Sequence, residues 1–317
     1  MVLLEVENLR TCYFTPKGLV MAVDGVSFEL KQGETLGLVG ESGCGKTTTA
    51  LSIIRLLPPY AKILEGRIIF NGTDLTALDN EHMRKIRGKE MSMVFQGSMQ
   101  ALNPLMKIGD QIAESVIQHE RCTRRRALRR AKELLKLVGM DQARINSYQH
   151  ELSGGMRQRA MIAVALACQP KLLIADEPAT ALDVIVQARV LNLMRELKKN
   201  HDLSVIMITH DLSVVAEMCD RVAVMYAAKL VECADIFSLH SKPLHPYTQG
   251  LLGAFPSIKG PRKTLSSIPG TPPNLLSVPT GCRFHPRCPY VMDVCKAEEP
   301  RLIEVAGGRR VACHLVK

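Results

Sequence analysis

The sequence predicts an α/β fold with a helical insertion and a loop-rich C-terminal extension, and three observations carry that prediction. Short alternating or apolar segments at Leu3–Val6, Val26–Leu30 and Thr35–Val39 read as strands. Apolar runs return at Lys171–Ala175 and Ser204–Thr209, and helical patterns follow them over Val184–Lys199 and Leu212–Cys219. Between these two regions, from about Asp79 to Gln149, helical patterns dominate. Strand–helix alternation on both sides of a helical block is the pattern of an α/β core with an inserted helical subdomain.

Taken in order, Thr35–Val39 is a continuous apolar run closed by glycine, as expected of a strand buried on both faces. A helical segment runs from Lys46 to about Leu57 and stops at Pro58-Pro59. Leu64–Leu75 reads as a hairpin with Asn71-Gly72 at its turn. After about Phe237 the composition changes, and most of the 17 prolines lie between Pro243 and Pro300. The expected divisions are therefore 1–96 and 153–236 for the two parts of the core, 97–152 for the helical subdomain and 237–317 for the extension.

Composition narrows the function classes. With 317 residues, 46% hydrophobic and 23% charged, the chain can bury a core of ordinary globular type. No stretch reaches the ~20 apolar residues of a membrane span; Met161–Cys168 and Leu172–Ala175 read as a buried helix and a buried strand. The N-terminus carries Glu5 and Glu7 where a signal peptide is basic, so the chain is expected in the cytosol, meeting the membrane through partners. The net charge of +10 gathers in the region after Lys259 and in the run Arg121–Arg130, which opens an amphipathic helix. That run reads as a solvated face, and without interleaved aromatics it gives no platform for nucleic acid.

Chemistry enters at Gly40-Glu-Ser-Gly-Cys-Gly-Lys-Thr47, which fits the Gly-x4-Gly-Lys-Ser/Thr pattern between a buried strand and a helix start. Its glycines let backbone N–H groups turn toward phosphate oxygens, and the helix N-terminus adds the positive end of its dipole. Gly40, Glu41, Ser42, Gly43, Cys44, Gly45, Lys46, Thr47 and Thr48 are thus the candidate phosphate-binding residues. Lys46 would neutralise the β- and γ-phosphates, and Thr47 would offer its hydroxyl to Mg²⁺. Because Lys46 and the helix N-terminus favour a thiolate, Cys44 is expected to be reactive. Lys171–Glu177 is an apolar strand ending in two carboxylates: Asp176 for Mg²⁺, and Glu177 to polarise an attacking water. In Leu152-Ser-Gly-Gly-Met-Arg-Gln-Arg159 a second small-residue turn opens a helical run, exposing N–H groups to another anion. That second site makes sense if it caps a γ-phosphate held by another subunit.

With these residues in place the chain resembles the ABC ATPases, and the motifs run in that family's order. Ser153, Gly154, Gly155 and Gln158 match the signature motif. Gln96 resembles the Q-loop glutamine that joins the Mg²⁺ and water site to the helical subdomain. Asp183, in Ala181-Leu-Asp183, resembles the D-loop, and His210, in Ile208-Thr-His-Asp211, the histidine that senses γ-phosphate and steadies Glu177. Tyr13 matches the aromatic that stacks on adenine, with Phe14 as the alternative. The resemblance implies a P-loop NTPase (RecA-like) core with an antiparallel β subdomain and an α-helical subdomain. It also implies a head-to-tail dimer that sandwiches two ATP molecules and drives membrane subunits by closing and opening.

The extension narrows the resemblance. His245-Pro-Tyr-Thr-Gln-Gly-Leu-Leu252, Ile268-Pro-Gly-Thr-Pro-Pro273 and Gly281-Cys-Arg-Phe-His-Pro-Arg-Cys-Pro-Tyr290 resemble the C-terminal region of dipeptide/oligopeptide importer ATPases. That branch implies ATP-driven peptide uptake at the cytoplasmic face of the membrane. It implies a second, paralogous ATPase, two transmembrane permeases and an extracytoplasmic binding protein as partners. Related members serve nickel, oligosaccharides or antimicrobial peptides, and ABC ATPases outside transport form a further alternative. Cys282, Cys288, Cys295 and Cys313 lack the paired spacing of structural zinc. The resemblance implies a [4Fe–4S] cluster there, with zinc as the alternative. Gly97-Ser98 stands where the branch commonly has Asp-Pro, Ala179 where Thr is common and Ala228 where Gly is common.

Overall fold

Residues 1–97, 101–178, 183–254 and 268–316 are described by a computed structural model. They divide into two units, one of Met1, Lys31–Glu34 and Ala77–Met207, the other of Val2–Leu30, Thr35–Thr76 and Ile208–Lys317.

The second of these carries an antiparallel sheet in the order β2-β1-β4-β5, built from β1 (Val2–Thr15), β2 (Gly18–Lys31), β4 (Ala61–Phe70) and β5 (Thr73–Asp74). The hairpin turn lies at Asn71-Gly72 as expected, with φ of 48° and 78°. Both values are left-handed, which a type I′ turn demands and Asn-Gly supplies at least cost. The helix α1 (Lys46–Ile53) is shorter than its pattern implies, because Arg55 turns left-handed at φ 54° before the prolines are reached.

The same unit holds β3 (Thr35–Val39), β9 (Arg221–Tyr226), β10 (Lys229–Asp235), β11 (Ile303–Val305) and β12 (Arg309–Val311), in the order β11-β12-β10-β9-β3. β3 and β9 run parallel, and the other pairings are antiparallel. The β9–β10 hairpin escapes a sequence reading because its turn is Ala227-Ala228, at φ 45° and 72°, with neither Gly nor Asn to announce it. Three-residue strands such as β11 and β12 are too short to display a period.

The extension has an aromatic core. Tyr226, Tyr247 and Phe284 are buried, with ring centroids 4.6 to 5.4 Å apart, so the small segment gains apolar burial by packing on β9. A buried carboxylate, Glu232 on β10, organises the chain around this cluster. It accepts from the backbone N–H groups of Leu244 and His245, each at 2.9 Å, and from Arg309 on β12 at 3.1 Å. Paired and hydrogen-bonded in this way, a charge is tolerable in the interior.

After the short α8 (Ile236–Ser241), His245 caps α9 (Pro246–Gly253), its Nδ1 accepting the N–H of Tyr247 at 3.0 Å. Burial holds its imidazole neutral, with its pKa pushed down to about 4. A depressed histidine stabilises the fold at pH above ~6.5, its unfolded value, and that stability is lost as pH falls toward its folded value. Between pH 7 and pH 5 the loss should be about 2 kcal/mol. His245→Asn keeps a cap acceptor without the titration, so its melting temperature should depend less on pH over that interval. An unchanged pH slope in thermal melts would count against this assignment.

The other unit contains β6 (Met91–Val94), β7 (Leu172–Asp176) and β8 (Ser204–Ile208) in the order β8-β7-β6, with β6 and β7 parallel and every residue of the three strands buried. Four residues of β6 inside a helical region gave no periodicity to read. Helices α2 (Asn80–Ile86), α3 (Ile108–Glu120), α4 (Arg124–Leu137), α5 (Gly154–Ala165) and α6 (Val184–His201) complete it. The basic run opens α4, which buries Ala127, Ala131, Leu134 and Leu135 and leaves Arg124, Arg125 and Arg126 exposed. Among the described residues no helix is long and apolar enough to cross a membrane.

Candidate active site

The phosphate loop follows β3 and ends in α1, with Gly45 at the helix N-cap. Only glycine serves at two of its positions. A Cβ at Gly40 (φ 149°) would lie 2.1 Å from the Met225 carbonyl oxygen, and one at Gly45 (φ 106°) would lie 2.1 Å from that of Ala22. Both contacts are with backbone, so nothing can yield, and the left-handed φ excludes other residues independently. Lys46 is buried, and its ammonium donates to the carbonyls of Gly40 at 2.7 Å and Glu41 at 3.0 Å. The loop is therefore folded around its own cation, as a polyphosphate cradle requires. Tyr13 on β1 reaches the same helix, its hydroxyl 3.2 Å from Thr48 Oγ1, and its ring packs on Tyr60 at 5.9 Å. Phe14, the alternative, is half exposed.

The carboxylates lie at the C-terminal end of β7. Asp176 is 1% exposed, where an ionised carboxylate calls for a cation. Glu177 takes a left-handed φ of 47°, unusual for a residue with a Cβ and of the kind that concentrates at functional sites. Gln96, two residues beyond β6, donates from Nε2 to Glu177 Oε2 at 2.8 Å. Parallel pairing of β6 and β7 delivers the two side chains to the same strand ends, so Gln96 and Glu177 meet although 81 residues separate them.

Ser153 caps α5, accepting from the Met156 N–H at 3.4 Å, and Gly154 and Gly155 form the first turn. A Cβ at Gly155 would lie 2.3 Å from Val186 Cγ1, so this glycine lets α5 and α6 approach. Asp183 caps α6 through the N–H of Val186 at 2.9 Å, which ties Gly155 and Asp183 to one small region. Gln158 lies one turn along α5 and is buried. Ser98, Ala179, Ala181 and Leu182 lie outside the described residues. His210 follows β8, and Asp211 caps α7 (Leu212–Met218) through the N–H of Ser213 at 2.8 Å.

Residues 23–180 match the family model for the ABC transporter, and residues 231–295 match that for the oligopeptide/dipeptide transporter C-terminal region. Across 99% of its length the chain is 50% identical to the oligopeptide transport ATP-binding protein AppD of Bacillus subtilis, covering 96% of that protein. It belongs to this family of ABC transporter ATP-binding proteins. It is also 47% identical to the oligopeptide transport ATP-binding protein OppD of Escherichia coli, over 98% of this chain and 92% of that one. In three dimensions it resembles the ATP-binding cassette MJ0796 bound to ADP and Pi, with a TM-score of 0.67 and 27% identity, over 74% of this chain and 98% of that one. Like the members of this family, it is an ATPase of α/β fold.

One expectation for this ABC subunit's cysteines needs correction. Burial pushes the Cys44 thiol up, against the expected thiolate, and the neighbouring Lys46, 3.7 Å away, does not offset this. The resemblance placed a metal group on Cys282, Cys288, Cys295 and Cys313. Their thiols influence one another electrostatically, and burial pushes Cys282 up to about 11. Among the described residues, however, no three His, Cys, Asp or Glu side chains are grouped to hold a metal ion. The structure therefore lends no support of its own to a zinc or an iron–sulfur ligand set at these cysteines.

The sequence reading also missed contacts to the loop. Tyr247 Oη accepts the backbone N–H of Glu41 at 2.9 Å, and Arg287 grips the Glu41 carboxylate. Ala228, set apart only as a departure from glycine, donates its N–H to the Cys44 carbonyl at 3.0 Å. The two family motifs that carry Tyr247 and Arg287 were visible, but nothing in their spacing linked them to Glu41.

Proposed function

We propose that this ATPase powers the uptake of di- and oligopeptides as the ATP-hydrolysing subunit of a membrane importer. The observation that carries the reading is full-length similarity to oligopeptide and dipeptide transport ATP-binding proteins, extension included. The residues fit the role. Lys46, Thr47, Thr48 and the loop amides would hold the phosphates of MgATP, Tyr13 the adenine, and Asp176 the metal. Glu177, held by Gln96, would take a proton from the attacking water, and His210 would steady that arrangement. Ser153, Gly154, Gly155 and Gln158 would cap the nucleotide of a second ATPase subunit, with Asp183 at the shared interface. Bound Mg²⁺ supplies charge neutralisation to the transferred phosphoryl group.

The partners that follow are a paralogous ATPase, two permeases spanning the membrane and an external binding protein, which place this subunit peripherally on the cytoplasmic face. Co-expression with neighbouring permease and binding-protein genes, followed by reconstitution in vesicles, tests the reading. Peptides presented by the binding protein should stimulate ATP hydrolysis. Stimulation by nickel or an oligosaccharide alone would reassign the cargo, and failure to bind any permease would favour an ATPase outside transport. A [4Fe–4S] cluster on Cys282, Cys288, Cys295 and Cys313 rests on the family resemblance and on the electrostatic influence these thiols exert on one another. Anaerobically purified protein should then contain iron and acid-labile sulfide, and zinc without iron would overturn that assignment.

A further inference from the structure

A phosphate-binding loop is selected to attract anions, yet this one carries a carboxylate at Glu41, directly after Gly40. The structure supplies the missing cation from a distant part of the chain. Arg287 donates from Nη1 to Glu41 Oε2 at 2.7 Å and from Nη2 to Oε1 at 2.9 Å, a bidentate pair between residues 246 positions apart. Arg287 is 7% exposed. Its Nε donates to the Pro269 carbonyl at 2.8 Å, and its face lies over the Tyr226 ring at 5.7 Å. With its fork, its Nε–H and its face all engaged, Arg287 is fixed in place.

The backbone of Glu41 is held as well. Its N–H points to Tyr247 Oη, and its carbonyl receives Lys46 Nζ at 3.0 Å. Tyr247 is itself buried against Tyr226 and Phe284. A second tether lies alongside: Arg283 donates to the Ala227 carbonyl at 2.6 Å and pairs with Asp24, while the next residue in that turn, Ala228, holds the Cys44 carbonyl. Both ends of the stretch 41–44 are thus held, Glu41 by Tyr247 and Arg287, and Cys44 by Ala228, whose neighbour Ala227 is held by Arg283.

We propose that Arg287, assisted by Tyr247, is a positioning residue for nucleotide binding: it neutralises Glu41 and fixes the phosphate loop, so that the C-terminal extension sets the loop's affinity for MgATP. The inference rests on the reading of this loop as the ATP site. Arg287 touches no substrate; it acts through Glu41. Without it, the Glu41 carboxylate would stand unneutralised in the loop that receives a polyphosphate, and like charge near a binding site is strongly unfavourable. The extension is then part of the nucleotide site in electrostatic terms, although it follows the last core motif by dozens of residues.

The test uses the purified full-length chain, with MgATP affinity read by calorimetry and folding by circular dichroism. Arg287→Ala should raise the dissociation constant by about tenfold or more, and the KM for ATP should rise with it while kcat changes less. The deciding measurement is the double variant. Because Glu41→Gln removes the charge that Arg287 neutralises, Glu41→Gln/Arg287→Ala should recover most of the lost affinity, which a merely structural role would not produce. If Arg287→Ala does not fold, Arg287→Gln, which keeps a polar stem and drops the charge, takes its place in both comparisons. Affinity in the single variant equal to that of the parent, or a double variant no tighter than the single, would overturn the proposal. A parent chain that does not bind MgATP would instead remove the nucleotide reading itself, and the inference with it.

Discussion

Glu177→Gln is expected to lower ATP turnover by about 10² to 10⁴-fold while MgATP still binds, the range associated with losing a positioned general base. The substitution isolates charge from geometry. Glutamine is nearly isosteric, tolerates the left-handed backbone at φ 47° about as well as glutamate, and still offers an oxygen to Gln96 Nε2. What it lacks is the ability to take a proton from water. A nucleotide-bound, slowly hydrolysing chain is therefore the expected state. Turnover within a few-fold of the parent would show that Glu177 is not the base. Gln96→Ala offers a graded comparison, since it removes the donor at 2.8 Å and leaves the carboxylate intact.

Lys46→Ala should abolish measurable nucleotide affinity, weakening it by about a hundredfold or more. Charge-assisted hydrogen bonds contribute ~1.5–3 kcal/mol each, and a tenfold change in affinity corresponds to about 1.4 kcal/mol. The loss has two sources. A buried ammonium that would meet the β- and γ-phosphates disappears, and so do the bonds that draw the Gly40 and Glu41 carbonyls inward. The second source predicts a lower melting temperature even without nucleotide. Calorimetry with MgATP and a thermal melt of the apo chain separate the two. An unchanged affinity would be incompatible with this loop as the phosphate site.

Much of the site was legible because its chemistry is local. Gly40 through Thr47 form one turn between one strand and one helix, so the residues that cradle phosphate are also neighbours in sequence. Asp176 and Glu177 were legible because an apolar strand ending in two carboxylates is unusual, and Ser153 to Gly155 because a helix start leaves N–H groups open. The Cys44 expectation went the other way for a related reason. Residue type and spacing place a lysine beside the thiol; they do not say whether burial outweighs it, as it does at Cys44.

The sequence by itself determined the α/β class, the order of the motifs and the family, since each depends on short-range pattern or on similarity along the chain. Tertiary structure alone decided that Gln96 reaches Glu177, that Gly155 is small because of Val186, and that β9 and β10 turn through two alanines. It also decided that the carboxylate of the phosphate loop is matched by Arg287, 246 positions away. Such pairings arise from strand order and from the burial of Tyr226, Tyr247 and Phe284. No local pattern encodes them, because the attraction between two charges depends on their distance in space and on nothing in the sequence that separates them.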